Sequence, residues 1–448
     1  MVIGILFLSF AIFLIIGVPI TVCLGLSAIT AIFIGSAIGE LNASISLLAQ
    51  QMFSAFDSFP IMAIPMFMLA GEIMNKGGAS EKLINLASVI VGRVKAGLSY
   101  MAIVASMFFA CISGSGPADV AAIGTVMIPQ MEKHGYHRGY SAVCIGAAGT
   151  LGILIPPSIP AVIYGVVTST SIGELFLAGM IPGILTGIAL MITSYFIFRN
   201  VPTESFLKKD DNHNSKVMSK KEIRLERRSR LFKTIKDAKY SIVMPVLILG
   251  GIYAGIFTPT EAATVAVAYG LFVTLYLDKG LKHREVKNVI INAGLVSGIV
   301  LILIGTALLF GKIMTLEHFQ QSVSEFILNT TDNKYLILTM ILIFLIFLGM
   351  FMETLAAIIL FGPMLLKIVV PLGIDPIHFG IIMILASEVG FMTPPIGEHL
   401  FIVSSISNVP LENIIHYAIP YVITLIVSLI IITFVPSITM YLPNLVYN

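Results

Sequence analysis

The chain has 448 residues, of which 57% are hydrophobic and only 11% charged, with a formal net charge of +2 and a mean hydropathy of +0.99. So small a polar fraction does not cover the surface of a water-soluble domain, which excludes that class and places the chain in lipid. Cys23, Cys111 and Cys144 are odd in number, scattered and set in apolar sequence, so they form neither a disulfide framework nor a metal-ligand spacing.

Long apolar stretches cover residues 2–35, 172–198, 240–277, 288–310, 335–351 and 414–442, with interrupted runs between them. About 20 helical residues cross roughly 30 Å of hydrocarbon, and these stretches are long enough to do so. They are continuous and rich in Leu, Ile, Ala and Gly, whereas barrel strands alternate in polarity, so the spans are predicted to be helices. No basic residue precedes the first run, and that run is too long for the core of a signal peptide, so it reads as a retained helix.

The first interruption comes after residues 98–112, where Ser113-Gly114-Ser115-Gly116-Pro117 stops an apolar run that resumes over residues 118–131. At about 1.5 Å per residue each arm is roughly 22 Å long, short of the membrane core, which predicts a re-entrant hairpin. Pro117 suits the first turn of the second arm, and Asp119 then stands near that helix's positive end, where compensating the helix dipole is its simplest role. Farther on, Gly152-Ile-Leu-Ile-Pro156-Pro157 removes two backbone donors in a row and frees nearby carbonyls. Ser171 and Glu174 are spaced to cap the next helix.

Half of the 26 Lys and Arg residues fall within residues 199–239, which read as the main soluble loop and lie in the cytoplasm by the positive-inside tendency. The basic run at residues 220–230 reads as a topology signal and a contact for anionic lipid, with no nucleic-acid role. Beyond it, Thr258-Pro259-Thr260-Glu261 has the pattern of a capping box.

The loop separates two halves that share blocks in the same order. Asp119 precedes Pro129 by ten residues and Glu353 precedes Pro363 by ten; Gly152 to Pro156-Pro157 has a counterpart of identical spacing in Gly390 to Pro394-Pro395. A second hairpin is predicted from residues 335–349 and 353–370, with its break near Gly349 to Met352. Paired repeats around a midplane site are the pattern of secondary transporters, in which unwound carbonyls hold a cation and helix N-termini meet an anion. Glu353, Glu388 and Glu398 each sit beside a predicted break, and an ionisable group at membrane depth suggests a site. His378 and His399 are read as lying at helix ends, without a ligand role.

The blocks Ser113-Gly-Ser-Gly-Pro-Ala-Asp119, Gly149-Thr-Leu-Gly-Ile-Leu-Ile-Pro-Pro-Ser158, Gly255-Ile-Phe-Thr-Pro-Thr-Glu-Ala-Ala263 and Phe391-Met-Thr-Pro-Pro-Ile-Gly397 resemble the large, DctM-like membrane subunit of tripartite ATP-independent periplasmic (TRAP) transporters. The resemblance implies an all-α polytopic membrane protein of the ion transporter superfamily, with two inverted repeats, two re-entrant hairpins and an elevator mechanism. It implies a division into scaffold helices with an amphipathic arm (residues 1–96), a first transport repeat (97–170), a scaffold helix (171–198), the basic loop (199–239), scaffold helices and a second arm (240–311), a second transport repeat (312–410) and a C-terminal helix (411–448). Sodium would be held by Ser113, Ser115, Gly152, Ile155 and Pro157 in the first half and by Gly349, Glu353 and Thr393 in the second. The substrate, an organic acid anion, would meet Ser115, Ser158 and Glu353. No organic cofactor is implied. The partners would be a small four-helix membrane subunit, carried on a separate protein, and a periplasmic binding protein, all at a bacterial inner membrane. A stand-alone sodium or proton dicarboxylate symporter is the alternative. An intramembrane enzyme lacks a recognisable metal or carboxylate motif here.

Overall fold

A backbone without access to water satisfies its own polar groups, and in this chain it does so by forming helices. The computed structural model describes residues 1–39, 45–91, 96–198, 220–331, 333–395 and 397–447, and among these no strand occurs. The chain begins with α1 (Val2–Ile15), α2 (Ile20–Ala37), α3 (Ile45–Phe56), α4 (Ala63–Lys76) and α5 (Ala79–Val91). The first repeat follows as α6 (Gly97–Ser113), α7 (Gly116–Lys133), α8 (Arg138–Gly149), the short α9 (Leu151–Leu154) and α10 (Ile159–Thr168). Connecting helices are α11 (Ile172–Phe198), α12 (Lys220–Tyr253), α13 (Pro259–Phe272), α14 (His283–Leu316) and α15 (Phe319–Thr330). The second repeat is α16 (Lys334–Gly349), α17 (Thr354–Val369), α18 (Pro376–Phe391) and α19 (Glu398–Ser407), and the chain closes with α20 (Leu411–Phe434) and α21 (Ser437–Tyr447).

Among the described residues, five helical spans are long and apolar enough to cross a membrane: Ile20–Ala37, Ile172–Phe198, Pro259–Leu277, His283–Leu316 and Leu411–Phe434. Arg138–Leu154 and Ile159–Thr168 form a sixth span if counted together, bent by 41° at its break. The protein is therefore a multi-pass membrane protein. Its large exposed apolar residues run in helical rows, such as Ile184, Ile188 and Ile192 on α11 and Ile419, Ile423 and Val427 on α20, which is the composition of a lipid-facing stripe.

Two expectations are corrected. The apolar run at residues 2–35 is two helices rather than one: the chain turns at Gly17, whose φ is +87°, and Pro19 leads into α2, since proline has no N–H to continue α1. The basic segment is not loop throughout, because its residues from Lys220 onward belong to α12, which continues without a break to Tyr253. Residues 220–239 hold no Gly or Pro and are rich in Lys, Arg, Glu and Leu, all good helix formers. Residues 199–219 of that segment lie outside the described residues. The run at 240–277 divides as its punctuation suggests, at Gly255 with φ +68° and then at the capping box.

Both halves contain a helical hairpin followed by a broken helix. In the first, α6 and α7 meet at Gly114–Ser115, and the α8–α9 segment breaks before α10; in the second, α16 and α17 meet at residues 350–353, and α18 breaks before α19. The Pro156–Pro157 and Pro394–Pro395 bonds, one in each break, are both cis. The halves interlock, with α19 packed on α7 and α8, and α10 packed on α17.

Candidate functional site

At the tip of the first hairpin, Gly114 closes α6 with a left-handed φ of +62°. Ser115 is the extended N-cap of α7, and its Oγ accepts the Ala118 N–H at 3.5 Å, with Pro117 in the first turn. The start of α10 is built the same way: Ser158 caps it, accepting the Ala161 N–H at 3.3 Å, and Pro160 occupies the first turn. These two capped N-termini are joined directly, because the Ile159 N–H donates to Gly114 O at 3.1 Å. A Cβ on Gly114 would lie 2.7 Å from Pro157 O, so this approach requires glycine for space as well as for φ.

The break packs on the tip from a second direction. A Cβ at Gly152 would lie 2.6 Å from Asp119 Oδ2 and 3.0 Å from Gly116 Cα. Ser113, Ser115, Gly152, Pro157 and Ser158, all singled out from sequence, therefore share one junction. Ile155 lies in the same extended segment, and its side chain faces Gly183 of α11.

Asp119 does more than compensate a helix dipole. It is wholly buried, its Oδ1 accepts the Ser113 hydroxyl across the tip, and its Oδ2 has no hydrogen-bond partner. A buried carboxylate oxygen left unpaired is costly, so its place behind a cluster of carbonyls and hydroxyls favours a cation there.

In the second half Gly349 and Thr393 both meet Gly390. A Cβ on Gly390 would fall 2.4 Å from the carbonyl carbon of Gly349, so the hairpin end rests on α18 backbone to backbone. Thr393 donates its N–H to Gly390 O at 2.9 Å and its hydroxyl to Val389 O at 2.6 Å. Glu353 is the N-cap of α17 but makes no side-chain capping bond, and Glu398 lies within its electrostatic reach.

The structure pairs Glu388, singled out from sequence beside a break, with His399, which was given no ligand role. Glu388 on α18 and His399 on α19 are both wholly buried where the repeats meet. His399 is at a helix end, as expected, but that end is packed against Gly116 and Gly146 of the first repeat: its Nδ1 bonds Gly146 O at 3.1 Å, and its Nε2 lies 3.7 Å from Glu388 Oε2. The sequence signal was the run of small residues at Gly146, Ala147, Ala148 and Gly149, which leaves room for a ring from another helix. His378 is fixed structurally, with Nδ1 on Thr439 Oγ1 at 2.7 Å and Nε2 on Thr433 O at 3.2 Å.

Among the described residues no three His, Cys, Asp or Glu side chains gather as a metal cluster. The oxygens that converge at the tips belong to carbonyls, hydroxyls and single carboxylates, a donor set suited to a hard monovalent cation beside helix N-termini suited to a carboxylate.

Residues 7–438 match the family model described as the tripartite ATP-independent periplasmic transporter, DctM component. The isethionate TRAP transporter permease protein DctMQ of Oleidesulfovibrio alaskensis is 42% identical over 98% of this chain, which spans 66% of that relative's length. The C4-dicarboxylate TRAP transporter large permease protein DctM of Pseudomonas aeruginosa is 38% identical over 90% of each chain. The sialic acid TRAP transporter large permease protein SiaM of Vibrio cholerae is 35% identical over 90% of this chain and 91% of its own. The crystal structure of the Alcanivorax borkumensis YdaH transporter has a similar fold, with a TM-score of 0.63 at 13% identity over 92% of this chain and 97% of that one.

Proposed function

The chain belongs to the DctM family of TRAP transporters, and from that premise we propose that it imports a small organic acid anion together with sodium, as the large permease of a three-part system. The observation that carries this reading is the junction of the first hairpin with the broken helix. There, two serine-capped helix N-termini, linked through Gly114 O, come together with the buried Asp119 carboxylate, whose Oδ2 is unpaired.

Ser113, Ser115, Gly152, Ile155 and Pro157 would hold one sodium ion, with Asp119 supplying the negative charge behind it. Gly349, Glu353 and Thr393 would hold another around the second tip, where the acidic pair Glu353 and Glu398 suits a cation better than the anion's own carboxylate. The substrate carboxylate would sit at the N-termini of α7 and α10, on Ser115 and Ser158, whose backbone donors and dipoles favour an anion. The isethionate, C4-dicarboxylate and sialic acid named for relatives are all small organic anions, which supports the substrate class. Each positive charge moving inward gains about 2.3 kcal/mol per 100 mV, enough for two or three sodium ions to concentrate a dilute acid.

The hairpins and broken helices would move together against the remaining helices as an elevator, with the basic segment on the cytoplasmic side of an inner membrane. A small membrane subunit and a periplasmic binding protein would complete the system. Reconstitution tests this directly. Substrate uptake is expected only with both partners present and an inward sodium gradient; substantial uptake by this chain alone would favour the stand-alone symporter.

A further inference from the structure

We propose that Glu388 and His399 hold one proton between them, making a proton-binding site in the seam between the two repeats, separate from the oxygen clusters at the hairpin tips. Gly146 O is a carbonyl and only accepts, so the Nδ1 that meets it at 3.1 Å carries the hydrogen of a neutral imidazole. Nε2 is then a bare lone pair, and it has no donor among the described residues. Glu388 Oε2 lies 3.7 Å from it, and both carboxyl oxygens of Glu388 also lack a satisfying partner. A carboxylate facing that nitrogen would set lone pair against lone pair between two buried side chains. A single proton on Glu388, donated to His399 Nε2 after a small closing movement, satisfies both groups.

The neutral form is favoured over a charged carboxylate and imidazolium. A buried ion pair recovers its desolvation cost only with short contacts and further hydrogen bonds, and here the separation is long. The Thr354 hydroxyl faces Glu388 from α17, but the contact satisfies neither group. The ionisable groups within reach strengthen the case: Asp119 from α7 and Glu398 from α19 are both acidic, and Glu353 at the start of α17 adds to Glu398. From α8 the facing residues are Gly146 and Gly149, and Phe391 of α18 stands edge-on to the imidazole with ring centroids 5.4 Å apart. No cationic side chain faces the pair from these elements, so a second negative charge at Glu388 would be unbalanced.

The site has a mechanical consequence, because His399 Nε2 lies against Gly116, the first residue of the second hairpin arm: a Cβ there would be 2.8 Å away. Losing the proton would place a buried charge beside the moving tip and separate α19 from α7.

Infrared difference spectroscopy on the purified full chain in membranes tests the proposal and does not depend on any transport activity. At neutral pH the wild type should show a protonated-carboxyl band that is lost in Glu388→Gln, and in His399→Phe the same band should shift to the frequency of an acid with no acceptor. A carboxylate band at neutral pH that Glu388→Gln removes, or no Glu388-dependent acid band at all, would overturn it. The result stands even if uptake proves independent of sodium, so the two claims fail separately.

Discussion

At Gly152 any side chain collides with the carboxylate that backs the hairpin tip, since a Cβ would approach Asp119 Oδ2 to 2.6 Å. Overpacking of this kind costs about 1–3 kcal/mol, so Gly152→Ala is expected to lower sodium-dependent uptake roughly tenfold while the protein still inserts. Gly4→Ala, where nothing lies within 4 Å, should leave uptake unchanged and serves as the control. Ser115→Ala removes both a cap and a hydroxyl from the tip. The cap is worth about 1 kcal/mol, and sodium titration of uptake should show weaker affinity with normal amounts of protein in the membrane. Unchanged sodium affinity in both variants would remove the ion from this junction.

Among the elements, the two repeats predict parallel behaviour. A Cβ at Gly390 would overlap the Gly349 backbone at 2.4 Å, a closer approach than at Gly152, so Gly390→Ala should impair uptake at least as much as Gly152→Ala. Thr258→Ala breaks the capping box of α13, in which Glu261 accepts the Thr258 N–H at 2.8 Å and Thr258 Oγ1 accepts the Glu261 N–H at 3.3 Å. It should cost about 1 kcal/mol in thermal unfolding and leave transport intact, because this cap is exposed and remote from the tips. The first hairpin was legible because its turn is written in local chemistry, Ser-Gly-Ser-Gly-Pro. The second tip was legible only through the spacing shared by Glu353-to-Pro363 and Asp119-to-Pro129, since Met350, Phe351 and Met352 carry no turn signal of their own. The split at Pro19 was open to view but lost inside a long apolar run. Glu388 was singled out beside a break, but its pairing with His399 was not legible: burial of a helix end is decided by the element packed on it, here α7 and α8, and that packing is not written in local sequence.

For the molecule as a whole, the interlocking of α19 with α7 and α8, and of α10 with α17, ties both hairpins into one body. If that body moves as a unit, a cross-link between the halves within it should leave uptake running, whereas one from α7 to a surrounding helix should stop it. The irregular backbone at Gly114–Ser115 and at Ile155–Ser158 is tolerated in a membrane where protein encloses it, and the proposed sodium ion would satisfy oxygens left there. The most direct test is uptake by the reconstituted three-part system with external sodium replaced by choline at constant ionic strength. The account predicts that accumulation is lost and returns on adding sodium; accumulation that continues undiminished in choline would contradict it.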